Sequence, residues 1–153
     1  MIFDCPPNMY HTTKNAIFCA DFVIIPSIPD FLGTAGLKRL VGFLHELRDQ
    51  FLQHDNQPAR IAGIVFNMFS KAKKSMKLQV DEIESYIEET KHTKKVFLKN
   101  AKVFHPPITN LDAIAKAHGQ RLPVNMVFPT HDASTNFVLL TKDIIGVLNG
   151  ING

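Results

Sequence analysis

The chain has 153 residues, 45% of them hydrophobic and 20% charged, with a formal net charge of +3, a makeup that excludes a disordered segment and fits one globular domain. Its two cysteines, Cys5 and Cys19, lack C-x-x-C spacing, which excludes a disulfide scaffold and suits a reducing cytosol. No stretch approaches the ~20 apolar residues of a helical membrane span and no signal-peptide pattern opens the chain, so a cytoplasmic protein without a membrane partner is expected.

In chain order, the apolar pair Ile2-Phe3 reads as the end of a buried strand, stopped by Asp4-Cys5-Pro6-Pro7. An acid at that place sits on the rim where open parallel sheets bind ligands, and the prolines turn the chain outward. Asp4 is thus a candidate to hold a hydrated Mg²⁺, its plainer role being to cap the following turn. Thr12 or Thr13 is expected to cap a short helix over 14–20, and Asp21 to form a turn before the next strand. Phe22-Val23-Ile24-Ile25, ended by Pro26, has the continuous apolar pattern of a strand buried on both faces. From Thr34, Leu37, Leu40, Val41, Leu44, Leu47 and Phe51 recur at helical spacing and predict a helix of about four turns ending near His54-Asp55-Asn56.

A second buried strand reads Ile61 to Phe66 and stops at Asn67. A helix is expected from Val80 to Thr90, with Val80, Ile83 and Ile87 on one face. Phe97-Leu98 and Val103-Phe104 form one or two short strands closed by Pro106-Pro107. Leu111 to Ala117 predicts a helical turn or two ending at Gly119, and Ser134 to Leu148 a final helix with Phe137, Leu140, Ile144 and Leu148 on one stripe. Strands alternating with helices imply right-handed crossovers, hence an α/β fold with a mainly parallel sheet and flanking helices, in a single domain over 1–153.

Charge is unevenly placed. Lys71, Lys73, Lys74 and Lys77 form one cluster, Lys91, Lys94, Lys95, Lys99 and Lys102 a second, and Asp81, Glu82, Glu84, Glu88 and Glu89 lie between. One explanation is a solvated helix with acids toward its N-terminal half and lysines toward its C-terminal end, as the helix dipole prefers; the other is a surface for nucleic-acid phosphates.

An ordered set of short motifs resembles the ParA/MinD family of partition ATPases, which have a deviant phosphate-binding loop. The set is Phe3-Asp4-Cys5-Pro6-Pro7, Lys14-Asn15-Ala16, Ala20-Asp21 leading into Val23-Ile24-Ile25-Pro26, and Gly36-Leu37. It continues with Ala62-Gly63-Ile64-Val65-Phe66-Asn67, Ala115-Lys116-Ala117, Gly119 and Pro123-Val124, and so covers nearly the whole chain. The resemblance implies a P-loop NTPase-like fold of the SIMIBI type, ATP and Mg²⁺ as cofactors, non-specific DNA and a ParB-like protein as partners, and a role in plasmid or chromosome partitioning. It makes Asp4 the acid that contacts Mg²⁺ through water and Pro6-Pro7-Asn8 the start of a switch segment. Asn67 falls where the family has a base-contacting asparagine, and Pro106 or Pro107 in a loop that packs on the adenine face. A strand-end turn is the plainer role for Asn67. With DNA as the surface, Lys71, Lys73, Lys74 and Lys77 are the phosphate contacts.

Two departures stand beside the resemblance. Lys116 occupies a place where the family has an acid, and no G-x-x-x-x-G-K-[ST] occurs in the 153 residues. That loop supplies the N–H cradle and lysines for phosphoryl transfer, so the chain is expected not to hydrolyse ATP alone, or to serve instead as a non-catalytic module pairing with a full-length ATPase or DNA. The resemblance implies that the missing strand lies between Asp4 and Phe22-Ile25. Leaving about four apolar side chains uncovered there forgoes roughly 6–12 kcal/mol, so self-association into a homo-oligomer is expected. The seven histidines show neither H-x-x-x-H nor H-E-x-x-H spacing, which argues against a zinc site, and no G-x-S-x-G elbow is present.

Overall fold

The computed structural model describes residues 1–6, 8–52, 58–109 and 111–150. Three apolar segments become strands: β1 (Phe22–Ser27), β2 (Arg60–Phe66) and β3 (Phe97–Phe104). They pair in parallel in the order β1-β2-β3, with Ile25 opposite Ile64 and Val65 opposite Phe104. The helices are α1 (His11–Cys19), α2 (Phe31–Leu52), α3 (Lys74–Lys91), α4 (Asp112–Gly119), α5 (Val124–Val127) and α6 (Asp132–Asn149). No helix among the described residues is long and apolar enough to cross a membrane.

The core is the sheet sealed by helices. Ile61, Ile64, Phe66 and Phe104 are fully buried, with Val41 of α2 and Ile83 and Ile87 of α3 packed into the same cluster. A parallel sheet needs cover on both faces, and the side chains of β3 show how it is obtained. Asn100 and Lys102, two residues apart and so on one face, both reach α6: Asn100 Nδ2 donates to the Val147 carbonyl (2.7 Å) and Lys102 Nζ to Asp143 Oδ1 (2.5 Å). His105, of the opposite parity, meets Glu84 of α3. α3 and α6 therefore sandwich β3, while α2 runs beside α3, joined by the Lys38–Glu82 ion pair (2.6 Å) and by Lys38 over the Tyr86 ring. α1 rests on α2 through the edge-to-face pair Phe18–Phe51 (5.2 Å).

Several boundaries differ from the sequence expectation for identifiable reasons. Residues 1–6 form no strand and are exposed, Ile2 at 95%. Pro6 bars a longer strand, and the few hydrogen bonds that Ile2 to Asp4 could make do not offset the entropy of ordering it. α1 begins at His11 and has no side-chain cap, so neither Thr12 nor Thr13 caps it. α2 starts three residues before Thr34 because Asp30 caps it, its Oδ1 accepting from Gly33 N–H (2.7 Å); its expected end at His54 to Asn56 lies outside the described residues. α3 begins at Lys74 rather than Val80, the added turns being mostly exposed. α6 begins at Asp132, with the His131 imidazole accepting from Ala133 N–H (3.1 Å) and Ser134 Oγ donating to the Phe128 carbonyl (2.6 Å). Strand β1 runs through Pro26, and of the one or two strands expected over Phe97-Leu98 and Val103-Phe104 the structure forms one, β3.

Gly63 is fixed by close approach. A Cβ there would collide with the Lys102 carbonyl and lie 2.7 Å from the Phe104 ring. Gly63→Ala is expected to destabilise the fold by about 1–3 kcal/mol, the usual cost of overpacking, measured by urea unfolding; a change under about 0.5 kcal/mol would show that β3 has room to yield.

Candidate functional site

Because the strands are parallel, their carboxyl ends share one edge of the sheet, where ligands bind in open α/β folds. The Asn67 N–H donates to the Ser27 carbonyl (2.8 Å), joining the ends of β2 and β1. Beyond β3 the chain turns at the cis peptide His105–Pro106 and comes back alongside β2. The Ile108 N–H donates to the Phe66 carbonyl (2.8 Å), and the Phe69 N–H donates to the Ile108 carbonyl (3.0 Å). These bonds bring two sequence candidates together: Asn67 and the loop of Pro106 and Pro107 are neighbours on this edge. Asn67 is exposed, and its Oδ1 accepts from Met68 N–H (2.8 Å), where Met68 has φ 54°. Asn67 thus shapes its own turn, yet its oxygen keeps a second lone pair, and no hydrogen bond among the described residues uses Nδ2, so it can still meet a base edge.

Beside this turn lies a hollow of about 500 Å³, with Met68, Lys71 and Lys73 on one side and Thr109, Asp132 and Asn136 on the other. Lys74 and Lys77 continue along the first turn of α3. The four lysines are exposed, and none takes part in the ion pairs among the described residues. Their position counts against a dipole explanation for this cluster. α3 starts at Lys74, so these charges crowd its positive end, with no acid in the first turn and no side-chain cap. Lys91 and Lys102 of the second cluster are paired, with Glu88 (2.6 Å) and Asp143 (2.5 Å).

Asp4 is not brought to this edge by any hydrogen bond of the described residues. Segment 1–6 bonds only locally, Cys5 Sγ to the Phe3 carbonyl and Asn8 N–H to the Pro6 carbonyl. Asn8 is half-buried and Pro6 exposed; Pro7, between them in the expected switch segment, lies outside the described residues. No group of three His, Cys, Asp or Glu able to hold a metal occurs among the described residues. The Asn67 amide keeps the donor and acceptor that a base edge would need, whereas for Mg²⁺, which takes one or two carboxylates together with phosphates and waters, the candidate Asp4 is exposed and lies in a segment whose hydrogen bonds among the described residues are local.

Residues invisible to motif reading hold the proline loop. Asp143 Oδ2 accepts from the His105 backbone N–H (2.9 Å) while Oδ1 takes Lys102, and His105 Nε2 lies 2.8 Å from Glu84 Oε1. Partial burial alone would raise the Asp143 carboxyl, but the hydrogen bonds from Lys102 and the His105 N–H, with the charges of both residues, outweigh it and hold it below the usual carboxylate range. These partners lie 21 and 38 residues from His105, so no sequence spacing announces them. Pro106, Pro107 and Asp143 also line a shallow cleft of about 570 Å³.

A three-stranded parallel sheet with flanking helices is consistent with part of a P-loop NTPase domain. A family profile described as an AAA domain matches residues 1–58. A ParA family protein of Chlamydia pneumoniae is 26% identical over 151 residues, 99% of this chain and 52% of that protein. The sporulation initiation inhibitor protein Soj of Bacillus subtilis is 25% identical over 94% of this chain and 51% of its own length, and the chromosome partitioning protein ParA of Myxococcus xanthus 29% identical over 76% and 41%. The chain is related to the ParA/Soj family of partition ATPases. It spans about half the length of the first two of these relatives.

Because the Asp143 carboxyl is lowered in the folded state, its contribution to stability is full above the unfolded value of about 3.9 and is lost as pH falls through the lowered one. Below about pH 4, Asp143→Asn is expected to lose stability less steeply with acid than wild type, as measured by urea unfolding at stepped pH; equal slopes would show that the carboxylate is not stabilised by folding.

Proposed function

We propose that the complete protein is a cytoplasmic ParA-like ATPase acting in plasmid or chromosome partitioning, with ATP and Mg²⁺ as cofactors, DNA as its surface and a ParB-like protein as partner. The observation that carries this reading is the juxtaposition of Asn67 with the Pro106–Pro107 loop at the carboxyl edge, beside exposed lysines. The Asn67 amide meets the edge of the adenine and the prolines pack on its face. In the complete protein Asp4 would hold Mg²⁺, which would supply neutralisation of phosphate charge, and Pro6, Pro7 and Asn8 would start the switch segment. The 153 residues alone bind nucleotide through base contacts and do not hydrolyse it.

Titration of the chain with ATP, followed by NMR shifts, is expected to show weak binding that Asn67→Ala weakens about 3- to 10-fold, the worth of one lost hydrogen bond, and that Asp4→Ala leaves within twofold. No ATP binding by wild type would overturn the base site. For DNA, replacing Lys71, Lys73, Lys74 and Lys77 by Ala is expected to flatten the slope of log affinity against log salt by about 3–4; an unchanged slope would remove these lysines from the interface.

A second reading, a non-catalytic module that pairs with another copy, with a full-length ATPase or with DNA, is favoured by β1. Among the described residues β1 pairs only with β2, leaving its outer edge open. It carries no charge to discourage pairing, Pro26 alone blunting that edge, and Phe31 and Leu32, which open α2 after it, are 77% and 78% exposed. Sedimentation is expected to show a concentration-dependent homo-oligomer that the double variant Phe31→Glu, Leu32→Glu shifts to monomer; a cooperatively folded wild-type monomer at micromolar concentration would exclude self-association.

A further inference from the structure

We infer that Asp143 is the positioning residue of the base-contacting loop: one carboxylate on α6 fixes where Pro106 and Pro107 stand, and so sets affinity and selectivity for an adenine base that it does not touch. The inference rests on the base-site reading above and adds to it a residue that no motif in the sequence indicates.

The geometry is that of a two-point hold. Asp143 Oδ1 receives Lys102 Nζ at 2.5 Å, from the last turn of the ladder, and Oδ2 receives the His105 backbone N–H at 2.9 Å, the last amide before the two prolines. Pro106 and Pro107 have no N–H to donate, so the loop has no backbone donor of its own between His105 and Ile108. Ile108 N–H is tied to the Phe66 carbonyl (2.8 Å). The two prolines are thus suspended between one anchor on β2 and one on α6. From the opposite face Glu84 takes the His105 imidazole at 2.8 Å, but both of those side chains are largely exposed, and exposed pairs contribute little. Asp143, with 24% of its side chain exposed, is the more firmly seated of the two carboxylates. Removing it frees one end of a loop whose position must be kept within about 0.5 Å to hold a ligand well.

The test uses the full chain with Asp143→Ala and, as a near-isosteric variant, Asp143→Asn. Both are read by amide exchange at His105, Ile108 and Thr109 and by titration with ATP and with GTP. The expected result is at least tenfold faster exchange at His105 in Asp143→Ala, ATP affinity at least fivefold weaker, and a narrower preference for ATP over GTP, with Asp143→Asn between wild type and Ala. A merely structural role would lower the melting temperature and leave the ATP-to-GTP ratio unchanged, and that ratio unchanged in a folded Asp143→Asn or Asp143→Ala overturns the inference. Unchanged exchange at His105 also overturns it. Failure of wild type to bind ATP refutes the base site itself, which is a separate result from wild-type binding that the variants do not alter.

Discussion

The β2–β3 ladder does not stop where the strands stop. The Phe66 carbonyl and the Phe69 N–H both bond Ile108, so parallel pairing is carried past the strand ends into the loops that follow. The nearness of the proline loop to Asn67 depends on that continuation, since it sets the chain after β3 beside the turn at Asn67. The ladder itself depends on Gly63, where absence of a side chain lets the Lys102 carbonyl and the Phe104 ring come close. A buried contact in mid-sheet thereby governs geometry at Phe69 and Ile108, three and four residues beyond the ends of their strands.

Much of this was legible in the sequence. The run Ile61-Phe66 emerged as a strand because a strand buried on both faces has no alternating pattern to blur; Phe22-Ile25 also emerged as a strand, but at the edge of the sheet, where Ile25 alone is buried and the expected burial on both faces is not met. The apolar stripes of α2 and α6 emerged for the same reason of burial. Less visible was β3, whose centre, Lys99-Asn100-Ala101-Lys102, looks polar; Asn100 and Lys102 are there because their heads bond α6. The start of α3 was hidden because its first turns face water, and the starts of α2 and α6 because an Asp and a His cap do not belong to any apolar stripe. At the site, Asn67 and the prolines could be found since they end strands, whereas Glu84 and Asp143 sit mid-helix among other charged residues and acquire meaning only through the sandwich around β3.

Electrostatics adds a feature that composition conceals. A net charge of +3 is modest, yet four lysines gather where the dipole of α3 already favours anions, next to the hollow beside Asn67. Like charges concentrated at such a point raise the free energy of the unliganded chain, and any phosphate that arrives relieves it. The acids of α3 are kept apart from this end, Asp81 to Glu89 lying along its middle and far half.

The open flank of β1 has a bearing on how the polypeptide behaves outside any partnership. A short, uncharged ribbon of Phe, Val and Ile that pairs on one side alone among the described residues is the type of template on which cross-β growth starts, with Pro26 near its end as the device that limits it. Handling the purified material at high concentration will thus favour fibrils or amorphous precipitate unless something sits along that flank, and yield and solubility become practical reporters of whether it is covered.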